Sequence, residues 1–461
     1  LCVHALAISE HDVYTLGWSL QRSAVPEVLD LYANYVQDGP MVFMTDKIVE
    51  GAKSGLDMHL HTISLKENML GPATYPSLAR LLLNTRSLTA LNISTPFDPM
   101  SDEDGALLMR GLVGNKTLKN LDLTGNALSK AFAWELRGAL LTHTTLESLA
   151  LDCNQISDDA AFFIAEALGK SKANSLCRLS LAFNLIDHVG FGALMDFCGK
   201  PHSRLAIVDL RNNKISRCSS GDVMQSIYKC TSLQSLNLSH NRIADITEVG
   251  LGLYFNRSIT DLNCAHNNIA DDTMKWFSMW GSDKTSLVHT RLANFDLRHN
   301  KLGDDAARAL LVGLNRRKEN RTLKHIDISD NLIDKLLVDA VRQILDPTRA
   351  YVWNKRQAQK LVKQKRANDR AYWKERNWEA NQKKKKEALD EAVRRLNTRT
   401  EDEVELDVIV GATIASKIPG VRKIASVGNQ LQHGTKPVWQ LQAELIQEQK
   451  RKAGADITFR K

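Results

Sequence analysis

No run of apolar residues in this 461-residue chain approaches the roughly 20 needed to cross a bilayer as a helix, so the composition argues against membrane insertion. Cysteine is sparse. Cys2, Cys153, Cys177, Cys198, Cys218, Cys230 and Cys264 are scattered with no C-x-x-C pair, which removes the usual zinc spacing and, in odd number, points to reduced thiols in an intracellular compartment. There is no phosphate-binding P-loop, no dinucleotide glycine fingerprint, no H-E-x-x-H and no G-x-S-x-G elbow. The expectation is therefore a non-enzyme with no cofactor, no bound metal and no small-molecule substrate. The chain opens at Leu1, inside what reads as a repeat, which leaves room for a targeting segment ahead of it.

What the sequence does have is a repeat. Leu118, Leu121, Leu123 and Leu128 fall at relative positions 1, 4, 6 and 11, with Asn126 at position 9. The frame recurs at Leu60/Ile63/Leu65/Asn68, Leu146/Leu149/Leu151/Asn154, Leu176/Leu179/Leu181/Asn184, Leu205/Val208/Leu210/Asn213, Leu233/Leu236/Leu238/Asn241, Ile259/Leu262/Cys264/Asn267, Leu292/Phe295/Leu297/Asn300 and Leu323/Ile326/Ile328/Asn331. A further copy, Leu88/Leu91/Ile93, carries Pro96 where the Asn belongs. Val3/Leu6/Ile8 and Leu29/Leu31/Asn34 are worn copies, equally readable as a cap.

Each copy opens with a short alternating run that predicts a strand, followed past the Asn by a helical pattern such as 158–168 or 304–314. Asp158/Asp159, Asp271/Asp272 and Asp304/Asp305 fall at helix starts, where they complement the helix dipole without any call for catalysis. One strand and one helix cannot bury their own apolar faces, so consecutive units must stack and share a core. The repeated Asn then satisfies backbone groups that the stacking buries.

The pattern L-x-x-L-x-L-x-x-N-x-L with a helix in each unit resembles the leucine-rich repeat superfamily, in its ribonuclease-inhibitor-like subclass. The resemblance implies an α/β fold: a solenoid with parallel strands on a concave face and helices on a convex one. It spans roughly residues 56 to 346. The expected organisation is an N-terminal cap with degenerate repeats over 1–55, the array over 56–346, a basic projecting helix over 347–400 and an extended tail over 401–461.

On the strands, position 5 forms a polar to acidic column that includes Asp209, Asp296 and Asp327, and position 7 contributes Arg211 and Arg298. No Trp or Tyr lies in either column, and interface hot spots favour Trp, Tyr and Arg, so these five residues are the candidate protein-binding set there. His240, His266 and His299 align at position 8, where they form either a routine polar column beside the turn or a ladder able to hold a metal or sense pH. Asn115, Asn256 and Asn320 head N-x-S/T sequons that the repeat consensus generates by itself.

The character changes after Pro347. Residues 351–398 carry a net charge of +9 against +8 for the whole chain, so the remainder sums to −1 and the basicity is local. Lys363, Lys365, Arg366, Arg370, Trp373, Lys374, Arg376, Trp378, Lys383, Lys384, Lys385 and Lys386 are the candidate contacts to an acidic partner. Two settings follow. The first is a cytoplasmic scaffold in a large assembly, with tubulin or axonemal proteins of a cilium favoured by the resemblance. The second is a ribonucleoprotein component, such as a mitochondrial ribosome, with the basic helix on RNA.

Overall fold

The computed structural model describes residues 2, 6, 8–22, 26–55, 59–95, 99–171, 173–218, 222–279, 291–316 and 322–345. The chain divides into two units, Leu1–Val352 and Trp353–Lys461, and every described residue belongs to the first. The expected basic helix over 347–400 and the tail over 401–461 thus lie outside the described residues.

Eleven strands are described: β1 (Val28–Asp30), β2 (Thr62–Ser64), β3 (Ala90–Asn92), β4 (Asn120–Asp122), β5 (Ser148–Ala150), β6 (Arg178–Ser180), β7 (Ile207–Asp209), β8 (Ser235–Asn237), β9 (Asp261–Asn263), β10 (Asn294–Asp296) and β11 (His325–Asp327). The α-helices are α1 (Glu10–Arg22), α2 (Asp38–Lys53), α3 (Thr74–Asn84), α4 (Asp102–Gly114), α5 (Lys130–Thr142), α6 (Asp158–Lys170), α7 (His188–Cys198), α8 (Val223–Lys229), α9 (Thr247–Phe255), α10 (Lys275–Met279), α11 (Asp304–Arg316) and α12 (Lys335–Leu345). Asp271–Met274 forms a 3-10 turn that leads into α10.

Strands join only their sequence neighbours, always in parallel, in the order β1 to β11. The register keeps the repeat frame in phase: Leu121 faces Leu149, Leu179 faces Val208 and Leu236 faces Leu262. These middle residues are buried between sheet and helices, while their strand neighbours face outward. Burying each such leucine contributes about 1.5–3 kcal/mol, and each does so against residues of the next coil as well as its own. The result is the α/β leucine-rich repeat solenoid that the pattern predicts, with strands on one face and helices on the other.

Polar ladders hold the coils in register. Asn184 donates from Nδ2 to the Leu151 carbonyl of the preceding coil at 2.9 Å and to Ala182 of its own at 3.1 Å. Its Oδ1 accepts the Ile156 N–H of the preceding coil at 2.9 Å. Asn154, Asn213, Asn241, Asn267 and Asn300 repeat this arrangement. In the N-terminal coil Asn34 likewise accepts the Leu6 N–H at 3.1 Å, so the same device extends to the worn copies.

A second ladder runs along the helix starts, and it adds to the dipole explanation. Asp158 Oδ1 accepts the N–H groups of Asp187 and Gly190, Asp187 accepts that of Ser216, and Asp304 accepts that of Asp334. Asp158 and Asp304 thereby satisfy backbone donors that open the following helix, where no intrahelical acceptor exists, while Asp187 reaches the turn of the next coil at Ser216, ahead of α8. A third recurring device closes the turn after a helix. Asn115 Oδ1 accepts from Thr117 and Leu118, Asn256 Oδ1 accepts from Ser258 and Ile259, and His143 Nδ1 accepts from Leu146.

Candidate interaction surfaces

On the strand face, Arg211 lies with its Nε 3.5 Å from Asp209 Oδ2, and Arg298 forms a two-pronged pair with Asp296 at 2.8 to 3.1 Å. Arg298 Nε also lies 3.6 Å from Asp327. The structure therefore gathers Asp296, Arg298 and Asp327 into one cluster and leaves Asp209 and Arg211 as a separate pair. Both guanidinium groups are already committed to neighbouring carboxylates, so a partner must compete with those pairs to use either arginine. Toward the middle of this face a cavity of about 380 Å³ is lined by Asn120, Asp122, Arg178, Ser180 and Asp209. Beside it, burial pushes the Asp152 carboxyl above its ordinary range, against the lowering effect of the Ser180 hydroxyl and Ala182 N–H that it accepts.

From Glu67 to Asp330, position 8 of the frame adopts left-handed backbone in each coil except that of Thr95, including Gly125, Cys153, Phe183 and Asn212. That common conformation throws the side chains into one column along the turn. The His240 and His266 rings stack at 4.0 Å and 11°, and those of His266 and His299 at 4.1 Å and 19°. Parallel rings present their nitrogen lone pairs side by side rather than converging on a point, so the stack does not form a coordination site. Among the described residues, no group of three or more His, Cys, Asp and Glu is arranged to hold a metal ion. Burial, followed by the neighbouring imidazoles and Arg298, lowers the His266 pKa.

The helix face carries aromatic residues that the strand columns lack. Trp134 is 54% and Phe162 51% exposed, a large solvent-facing area for side chains of this size. Trp134 meets Phe163 edge to face at 5.1 Å, and Phe163 lies 6.3 Å from Phe162. The Arg137 guanidinium sits 5.0 Å from the Trp134 ring, and its Nε donates to Glu166 at 2.6 Å. Glu166 also accepts from Lys170, and these two hydrogen bonds hold its pKa down to about 2. An apolar cavity of about 630 Å³ opens beside Trp134, between Lys130, Glu135 and Phe163.

The candidate contacts of the basic stretch, from Lys363 to Lys386, lie outside the described residues. Among the described residues, no helix is long and apolar enough to cross a membrane.

The leucine-rich repeat family profile matches residues 142–165, 229–246 and 294–311. The chain is a leucine-rich repeat protein. Leucine-rich repeat-containing protein 45 of Gallus gallus is 34% identical over 29% of this chain and 19% of its own length. NACHT, LRR and PYD domains-containing protein 4E of Mus musculus is 25% identical over 32% of this chain and 15% of its own, and the Bos taurus protein 5 of that name 28% over 30% and 12%. The matched stretches thus span less than a fifth of each of these relatives. A solved internalin of Listeria monocytogenes is similar at 17% identity and a TM-score of 0.40, over 74% of this chain and 88% of that one.

Within the repeat, Trp134 and Phe162 each stand fifth in their helices, α5 and α6. The strand columns gave no sign of them. Aligning the helices on their first residues would have done so, since the buried set Phe132, Ala133 and Leu136 leaves Trp134 on the outward side.

Proposed function

We propose that this leucine-rich repeat protein is a non-enzymatic scaffold that docks other proteins within a large assembly. The repeat array and its leucine-rich repeat relatives support a protein-interaction role. The observation that carries the reading is the half-exposed Trp134, framed by Arg137 and beside an apolar cavity, with the half-exposed Phe162 of the next helix linked to it through Phe163. Aromatic and arginine side chains on a rigid surface give an interface its largest contributions at small entropic cost.

The local charge of +9 over 351–398 supports a second contact with an acidic surface, for which a tubulin lattice, as in a ciliary axoneme, is the favoured occupant. Co-sedimentation of the full chain with polymerised tubulin tests this contact. Replacing Lys383, Lys384, Lys385 and Lys386 by alanine should reduce the bound fraction, and raised salt should do the same. Absence of co-sedimentation, together with ultraviolet crosslinks from Trp373 or Trp378 to RNA, would replace this partner by a ribonucleoprotein. Trp134→Ala should leave tubulin binding intact and remove a photocrosslink placed at Phe162.

A further inference from the structure

Every strand of the array is entered from the same end, so the segments that lead from each helix into the next strand line one edge. In the six residues before each of Leu88, Leu118, Leu146, Leu176, Leu205, Leu233 and Ile259, no Asp or Glu occurs among the described residues. Cations do occur there. Lys170 and Lys200 each pair with an acid four residues back, Glu166 and Asp196. Arg86, Lys116, Arg204, Lys229 and Arg257 are exposed, and none has a carboxylate partner among the described residues. The acids gather at the opposite edge, where helices begin, as at Asp102, Asp158 and Asp304. The helix dipole accounts for a cation in a last turn, such as Lys229, but Arg204 stands well past the end of α7 at Cys198.

Between Arg204 and Arg257 the same edge exposes aromatic rings. Tyr228, next to Lys229 at the end of α8, and Phe255, the last residue of α9, are each about half exposed. Their rings meet edge to face at 5.8 Å, and Phe255 meets Tyr254 in the same way at 4.6 Å. Gly252 lets the two helices lie this close, since a Cβ there would stand 2.8 Å from the Met224 carbonyl oxygen. The Tyr228 hydroxyl has no hydrogen-bond partner among the described residues. Acids in the flanking helix and strand are already engaged: Asp196 by Lys200 at 3.0 Å, and Asp261 by Thr260 and Asn294. A fixed aromatic pair thus lies among free cations where no carboxylate competes.

We propose that this edge docks an acidic, extended segment of a partner protein, with an apolar side chain against Tyr228 and Phe255 and carboxylates on Arg204, Lys229 and Arg257. Charge selects an anionic partner. Coils lie about 4.8 Å apart at the strands and packed helices about 8–10 Å apart, while an extended chain presents side chains on one face about every 6.6–6.8 Å. The edge runs between strands and helices, so such a chain offers it about one side chain per coil. Edge-to-face packing spends ring faces within the cluster, which suits an apolar side chain better than a stacked base. The site is separate from the Trp134 surface and from residues 351–398, and it rests on the scaffold reading only for the class of its partner.

The test is photocrosslinking of the full chain with a short peptide in which alternating serine and glutamate flank a central benzoylphenylalanine, the sites mapped by mass spectrometry. Crosslinks should map to Tyr228, Phe255 and their immediate neighbours, weaken with salt, and persist when Lys383, Lys384, Lys385 and Lys386 are replaced by alanine. A peptide with lysine in place of glutamate should give none there. Arg204→Glu with Arg257→Glu should lower the yield about tenfold, because like charges then face each other across the contact. Tyr228→Ser should lower it too. All three positions are exposed, so urea midpoints should stay at the parent value. Decauridylate and phosphatidylserine vesicles at matched charge test the other occupants: displacement of the peptide by either, more readily than by its unlabelled form, overturns the proposal. Crosslinks confined to 351–398, or a yield that the double charge reversal leaves unchanged, would overturn it as well. Failure here with the Phe162 photocrosslink retained removes this edge and leaves the scaffold reading standing.

Discussion

Asp158 holds Gly190 across the boundary between two coils: its Oδ1 accepts the Gly190 N–H at 2.9 Å, so close that a Cβ on Gly190 would lie 2.7 Å from that oxygen. The contact is possible only because position 190 has no side chain. Gly190→Ala also meets Ile186 Cγ2 at 2.9 Å and the Asp158 backbone at 3.0 Å, so the helix start must move away from the acid that caps it. The expected loss is about 1–3 kcal/mol, typical of overpacking. Asp158→Ala, which strands two backbone donors, should cost a similar ~1–3 kcal/mol. Urea midpoints of the two single variants and the double variant check this. Because both changes break one contact, the double should cost less than the sum of the singles.

The sequons at Asn115 and Asn256 are structural. Both asparagines are 1 to 2% exposed. Asn115 Nδ2 donates to the Leu82 carbonyl at 2.7 Å, and Asn256 Nδ2 donates to those of Ile227 and Cys230. A glycan on either nitrogen would break these bonds and has no space to leave the turn. Protein passed through a glycosylating compartment should therefore show no occupancy at Asn115 or Asn256 by mass spectrometry if it is folded. Asn115→Ala should lower stability by about 1–3 kcal/mol through the buried donors it orphans.

The repeat frame was legible because it is written in residues whose role is local and periodic. Leu121 and Leu123 declare a strand, and Asn126 declares the turn that closes it. The Asp158 to Gly190 bond was not legible, because the acid's partner lies 32 residues away on another coil. The helix dipole alone accounts for an acid at position 158, and the neighbour it holds emerges only when the coils stack. The strand columns directed attention to Arg211 and Arg298, whose pairing with Asp209 and Asp296 two residues back depends on side-chain rotamers that spacing does not specify. Trp134 is not legible in the repeat frame, because the periodic residues mark the core that a helix buries and not what it leaves outside.

The stacked imidazoles make a titration prediction. His266 lies between two like groups, and its pKa is lowered by burial first and then by His240, His299 and Arg298. His240→Asn removes one repelling neighbour and opens one face of the ring to water, and both changes favour the imidazolium. The His266 resonance should therefore titrate at higher pH in the variant than in the parent. An unchanged or lower midpoint would contradict the coupling through the stack.

His143 makes the turn after α5 sensitive to acid. It is buried, its Nδ1 accepts the Leu146 N–H at 3.2 Å, and burial, with a smaller contribution from Lys116, pushes its pKa down to about 4. In the unfolded chain the same ring titrates near its ordinary value of about 6.5. As pH falls the unfolded chain takes up the proton first, so the stability held in neutral His143 is fully present above about pH 6.5 and drains toward pH 4. At about 1.4 kcal/mol per unit the loss is on the order of 2–3 kcal/mol. Asn115 and Asn256 fill the equivalent place in other coils and accept the same backbone N–H without titrating. His143→Asn should therefore keep the turn at neutral pH and lose less stability on acidification. Urea midpoints of parent and variant at about pH 7.5 and about pH 4.5 decide it: the other histidines contribute equally to both chains, so a difference of differences near zero would exclude His143 as the acid-sensitive group.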